Sequence, residues 1–245
     1  MRCLLYLVIF FWIQICVAQQ QEFRGNIFSD SLHHLSFKAL LNEYILVSPH
    51  NAKPDNINIA HARILAESFI TRALKEKDSF NIGRGYLMLG RLDPINIDYI
   101  EKSIAYTKST INSEFPTLPY IHKFAYYYNQ GEYRKANNAL VLAQSHSIDS
   151  ETDFSLKSNF NHLNISWGDT NQGIKDLRDQ QDYIKSTSFE KTQEFLAWVD
   201  IREEYLSSNY YSIAEGFYRL NDFTSANLYL DSVQLYGTKY NFPET

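Results

Sequence analysis

The chain has 245 residues, 44% of them hydrophobic and 21% charged, with a net charge of −5. That profile excludes a disordered or fibrous chain and fits one large domain or one repeat array. No run of lysines or arginines occurs, which argues against a phosphate-tracking surface and so against a nucleic-acid partner.

At the N-terminus, Met1 and Arg2 precede an apolar stretch from Cys3 to Ile13, followed by Gln14 to Ala18. This order predicts a secretory signal over residues 1–18, cleaved after Ala18, and hence a periplasmic or secreted protein. The apolar run is shorter than the ~20 residues that span a bilayer; left uncleaved, it would act as a signal-anchor. Both cysteines, Cys3 and Cys16, lie in this leader, so the mature chain is expected to have no disulfide and no thiolate chemistry. Residues 19–30 read as a flexible segment. Ser31 to Val47 predicts one helix, Ser48 to Asn56 a connector, and Ile57 to Glu76 a second helix striped by Ile57, Ala60, Ile64, Leu65, Phe69, Ala73 and Leu74. Proline costs ~3 kcal/mol inside a helix, so Pro49, Pro54, Pro94, Pro116, Pro119 and Pro243 mark connectors. A further stripe, Phe195, Leu196, Val199, Ile201, Tyr205 and Leu206, predicts a surplus helix over 188–206. Residues 241–245 form a tail. Strand-like alternation is not found, and the chain reads as all-α.

An internal repeat organises the rest. A small residue, a large one four later and a small one three after that recur as Ala66-Ile70-Ala73, Ala136-Leu140-Ala143 and Ala226-Leu230-Val233. Looser copies are Asn96-Ile100-Ser103 and Gly173-Leu177-Gln180. Tight turns precede several copies: Gln130-Gly131-Glu132-Tyr133, Trp167-Gly168-Asp169-Thr170 and Leu220-Asn221-Asp222-Phe223. Glycine or asparagine suits a left-handed residue ending one helix, and the acid suits capping the next.

These residues resemble the tetratricopeptide repeat (TPR), a 34-residue unit of two antiparallel helices, A and B. The fullest unit is 117–150, with Tyr120, Phe124, Tyr127, Gly131, Tyr133, Ala136, Leu140 and Ala143 at marked positions. Unit 207–240 carries Tyr210, Ile213, Ala214, Phe217, Phe223, Ala226 and Leu230. Unit 76–110 carries Ile82, Gly83 and Tyr86. Unit 154–187, around Gly168, is degenerate, with Asn161 and Asn164 where a small residue and an aromatic belong. The resemblance implies an antiparallel helix-pair solenoid over 31–240, wound as a right-handed superhelix with an irregular N-terminal helical cap. Small residues at Gly83, Ala136, Ala143, Ala214 and Ala226 would let helices approach to the short end of ~8–10 Å. An ordinary helical bundle is the competing reading. The stretches Ala60-His61-Ala62, Leu74 to Asp78 and Ile82 to Tyr86 are also similar to the extracytoplasmic repeat regions of bacterial TPR-containing regulators and histidine kinases.

Catalytic motifs do not assemble. Gly83-Arg84-Gly85 lacks the third glycine of a dinucleotide loop, and Ser188-Phe189-Glu190-Lys191 lacks the companions of serine acyl enzymes. His33, His34, His61, His122, His146 and His162 are not spaced as metal ligands, so no metal and no cofactor is expected. Glu190, Glu194, Glu203 and Glu204 read as a solvated face, and Asn164-Ile165-Ser166 is a glycosylation sequon set aside for a bacterial chain.

The resemblance implies a concave groove lined by helix A and open to a protein or peptide. Carried over residue by residue, its positions are Phe80, Arg84, Leu87 and Met88, then Leu118, Ile121, Ala125, Tyr128 and Asn129, then His162, then Ser208, Tyr211, Glu215, Tyr218 and Arg219. The expected protein is an exported scaffold that catalyses nothing. The alternative is an extracytoplasmic sensory domain for a small ligand, a sugar or a peptide.

Overall fold

The computed structural model describes residues 32, 34–49, 56–110, 112, 114–148, 150–186 and 201–240. The predicted leader, the 19–30 segment, the tail, Pro54, Pro243 and residues 188–200 of the surplus helix lie outside the described residues. Ten α-helices and no strand are found among those described. They are α1 (Phe37–Val47), α2 (Ile59–Glu76), α3 (Ser79–Leu92), α4 (Ile97–Thr107), α5 (Thr117–Asn129), α6 (Tyr133–His146), α7 (Ser150–Trp167), α8 (Thr170–Ser186), α9 (Ile201–Arg219) and α10 (Phe223–Tyr240).

Each helix packs on the next in sequence, giving the pairs α1/α2, α3/α4, α5/α6, α7/α8 and α9/α10. In addition α5 touches α7, and α7 touches α9, whereas the second helices of these pairs make no comparable contact with one another. In the last three pairs the first helices therefore form the closer-packed layer. This is an all-α helix-pair solenoid. No described helix is long and apolar enough to cross a membrane.

Boundaries follow local chemistry. Three turns close identically, with a left-handed residue at Lys77 (φ 57°), Gly131 (φ 72°) or Asn221 (φ 61°). In each, the next amide donates back to the end of the preceding helix, Asp78 to Ala73, Glu132 to Tyr127 and Asp222 to Phe217, all at 2.9 Å. Asp78, Asp169 and Asp222 then cap the following helix, each accepting a backbone N–H at 3.0 Å. Two expectations fail here. Gly168 is not left-handed; its amide continues the α-helical ladder to the Asn164 carbonyl at 3.0 Å, so α7 ends without the motif. Glu132 makes no capping bond, because its longer side chain reaches the Lys135 ammonium instead.

Other differences are local. Ser31 to Val47 is not one continuous helix: residues 34–36 are non-helical, and α1 starts at Phe37, where the Ser36 side chain accepts the Ala39 N–H at 3.2 Å and caps it. Pro119 lies inside α5 and not in a connector; its place in the first turn needs no N–H. Ile201 to Leu206, read as part of a surplus helix, runs unbroken into α9.

Packing explains the small residues. Ala66, Ala136 and Ala143 have no exposed surface, and Ala214 and Ala226 are buried with them. Helix α3 is flanked on both sides: a Cβ on Gly85 would lie 2.4 Å from Ile70 of α2, and one on Gly83 would lie 2.3 Å from Thr107 of α4. Gly216 and Gly173 admit Ile174 and Ile165 in the same way farther along. Tyr44 of α1 donates to the Met88 carbonyl at 2.9 Å, and burial pushes its phenol up to about 12. Arg72 reaches from α2 to the Leu35 carbonyl and lies 4.9 Å from the Phe37 ring, fixing the cap. Leu140 and Leu177 are fully buried, but Leu230 at the matching position is 43% exposed, since no described helix packs beyond α10.

Candidate functional site

The first helices of the last three pairs present one continuous polar chain. On α5, the Tyr128 hydroxyl is in hydrogen-bond contact with the Ser166 hydroxyl of α7. Ser166 in turn donates to Glu215 Oε1 of α9 at 3.4 Å. Glu215 Oε1 also accepts from Arg219 Nε at 2.9 Å and Nη2 at 2.7 Å, and the Tyr133 ring of α6 meets the Tyr128 ring edge-on at 5.6 Å. Three neighbouring pairs are thereby joined on the inner layer.

Electrostatics follow from depth. Burial raises the Tyr128 phenol above its ordinary range, opposed by its bond to Ser166. Burial lowers His162 to about 4 against the weaker upward pull of Glu215, so its imidazole is neutral near pH 7. The His162 Nε2 is buried with no hydrogen-bond partner. The Glu215 bond holds the Arg219 guanidinium above its usual value.

Most of the predicted groove residues fall into four groups; of the others, Leu118, Ile121 and Ala125 are partly buried against hydrophobic clusters and Ser208 is exposed. Tyr128, His162, Glu215 and Arg219 lie in or beside this chain of contacts. Tyr211 and Tyr218 flank Glu215 on the same face of α9, 53% and 65% exposed, and Asn129 is exposed at the end of α5. Phe80 and Arg84 belong to a separate cluster. There Arg84 pairs with Glu114 at 2.7 Å and lies over the Phe80 and Phe115 rings, which meet edge-on at 5.3 Å. Leu87 and Met88 are not groove residues. Leu87 is buried with Ile100, Ile104 and Phe115, and Met88 packs under Tyr44, because α3 is enclosed by α2 and α4.

Ser166 and Tyr133 were not anticipated. Ser166 follows Asn129 by the same interval that separates Gly131 from Gly168, so the turn register would have placed it beside the groove positions. A buried seam was also missed: Ser158 donates to Asn209 Oδ1 at 3.4 Å, Asn209 to Gln180 Oε1 at 3.4 Å, and Gln180 to the Phe154 carbonyl at 3.3 Å. It ties the degenerate pair to α9, and its Gln180 stands where other pairs have Ala73, Ser103 or Ala143. Among the described residues, no group of three or more His, Cys, Asp or Glu side chains could hold a metal ion. Ser166 is engaged by Tyr128 and Glu215 and, among the described residues, has no bond from His162.

No protein-family model and no curated protein matches the chain. Two solved structures resemble it, both of a Podosopora anserina protein named for the kinesin light chain and built from nearly identical TPR-like repeats, one a single-substitution form. Their TM-scores are 0.45 and 0.44 at 15% identity, over 86% of this chain and 94% and 95% of theirs. The helix-pair order itself stands on the contacts among α1 to α10.

Proposed function

We propose that this chain is an exported TPR-like scaffold that binds a protein or peptide on the inner layer of α5, α7 and α9 and catalyses no reaction. The observation that carries the reading is the exposure of Tyr211 and Tyr218 on the same helical face as Glu215, which itself is tied into the three-pair polar chain. Exposed tyrosines beside an ordered ion pair supply broad contact area with directional polar groups, the composition that dominates binding energy at protein interfaces. The polar chain fixes the spacing of three helices, so a bound segment would meet a surface already in place. Export rests on the residue order of positions 1–18, and the likeness to bacterial extracytoplasmic regulators supports the same compartment.

The test is panning of a random-peptide display library against the chain and against a Tyr211→Ala, Tyr218→Ala variant. Enrichment on the first and its loss on the second, at unchanged helicity, is expected. Equal enrichment on both would overturn the groove assignment.

A further inference from the structure

We propose that the surface around Glu215 recognises a cationic side chain, lysine or arginine, carried by an otherwise apolar peptide segment, with Arg219 as the resident stand-in for that cation. The inference rests on the reading of this face as the binding surface and names the chemistry it selects.

Three observations carry it. Arg219 Nε, Arg219 Nη2 and Ser166 Oγ all converge on Glu215 Oε1, which leaves Oε2 without a hydrogen-bond partner among the described residues. The Glu215–Arg219 pair is an i,i+4 contact with both side chains partly exposed, a weak arrangement that a better-placed cation can displace. Tyr211 and Tyr218, one turn to either side on the exposed face of α9, can offer ring faces to a cation held at that carboxylate.

Charge balance decides cation over anion. The turn edge of this face carries Glu132, Asp169, Glu215 and Asp222 against Arg134, Lys135 and Arg219, a net of one negative charge, and His162 adds no positive charge near neutrality. The exposed apolar groups along the same edge are Trp167 and Phe223. A segment combining lysine or arginine with bulky apolar residues complements both features.

The probes are three fluorescein-labelled dodecapeptides of one Gly/Ser/Leu/Phe framework with arginine, glutamine or glutamate at three positions, titrated against the full chain by fluorescence anisotropy. The arginine peptide should bind at least tenfold tighter than the glutamine peptide, and the glutamate peptide should bind weakest. Glu215→Gln should abolish that discrimination, and Arg219→Gln should tighten arginine-peptide binding about threefold. Circular dichroism on each variant confirms that it folds, and a fall in arginine-peptide affinity with added salt gives the same answer on the unaltered chain. Preference for glutamate, or discrimination that survives Glu215→Gln, overturns the proposal. If the glutamine or glutamate peptide binds best and still needs Tyr211 and Tyr218, the cation assignment falls while the binding face stands. If no peptide binding depends on those tyrosines, both fall.

Discussion

Replacing Gly83 with alanine tests how closely α3 and α4 approach. At an exposed helical site the change would stabilise by about 1 kcal/mol through helix propensity. At Gly83 the new Cβ would lie 2.3 Å from Thr107 Cγ2, 3.0 Å from the Ser103 carbonyl oxygen and 3.3 Å from Tyr106 Cβ. Carbon–carbon contacts are optimal near ~3.5–4.0 Å, so the overlap with Cγ2 exceeds an ångström. Thr107 cannot simply rotate away: it has no exposed surface, and its hydroxyl donates to the Ser103 carbonyl at 2.8 Å. Overpacking of this kind costs ~1–3 kcal/mol or more. An overlap of more than an ångström against a buried side chain puts the cost at the upper end, about 2–3 kcal/mol, so after the propensity gain a net destabilisation of about 1–2 kcal/mol is expected. Urea unfolding followed by circular dichroism should show it as a lower midpoint at unchanged slope. Thr107→Ser keeps the hydroxyl and removes Cγ2, so the double variant should recover at least 1 kcal/mol relative to the sum of the two single changes. Gly131→Ala is the control. It meets nothing within 4 Å but sits at φ 72°, so it should cost about 1 kcal/mol and gain nothing from Thr107→Ser. A stabilised Gly83→Ala variant, or no recovery in the double variant, would refute the close approach.

Ala136→Tyr, at a position with no exposed surface, should destabilise by ~1–3 kcal/mol or more, and an unchanged melting temperature would count against the packing of α5 on α6. Asn209→Ala should cost about 1–3 kcal/mol by leaving Gln180 and Ser158 short of a partner, whereas replacing Asn209 and Gln180 together by leucine should cost less. For His162, the folded value near 4 lies below the ordinary 6.5. The unfolded chain therefore takes up a proton first, and stability present above about pH 6.5 is lost as pH falls toward 4, by on the order of 3 kcal/mol. Stability measured across that interval should fall less steeply for His162→Phe, and parallel curves would contradict the buried neutral imidazole.

The architecture was readable because its signals are local. Glycine and asparagine at Gly131 and Asn221, the aspartates that cap α8 and α10, and alanines at helical spacing each act within one turn or one contact. Lys77 closes the same kind of turn as Gly131 without resembling it, which is why composition did not reveal the α2/α3 turn. The site was legible only in part. The helical register that places Tyr211, Glu215 and Tyr218 on one face of α9 is a property of that helix alone. Contacts between helices are not, and so the link from Tyr128 through Ser166 to Glu215 stayed hidden, as did the Ser158–Asn209–Gln180 seam. Leu87 and Met88 were misplaced for the same reason: helix A periodicity does not say that glycines on two sides of α3 draw neighbours over both.

Site-specific photocross-linking in the native cell addresses the central claim most directly, with a benzophenone amino acid placed singly at Tyr211, at Tyr218 or at Val141. Val141 is 51% exposed on α6, a second helix outside the inner layer. A partner adduct from the first two positions and none from Val141 is the predicted result. Adducts from Val141 alone, or none from Tyr211 and Tyr218, would contradict an inner-layer binding face.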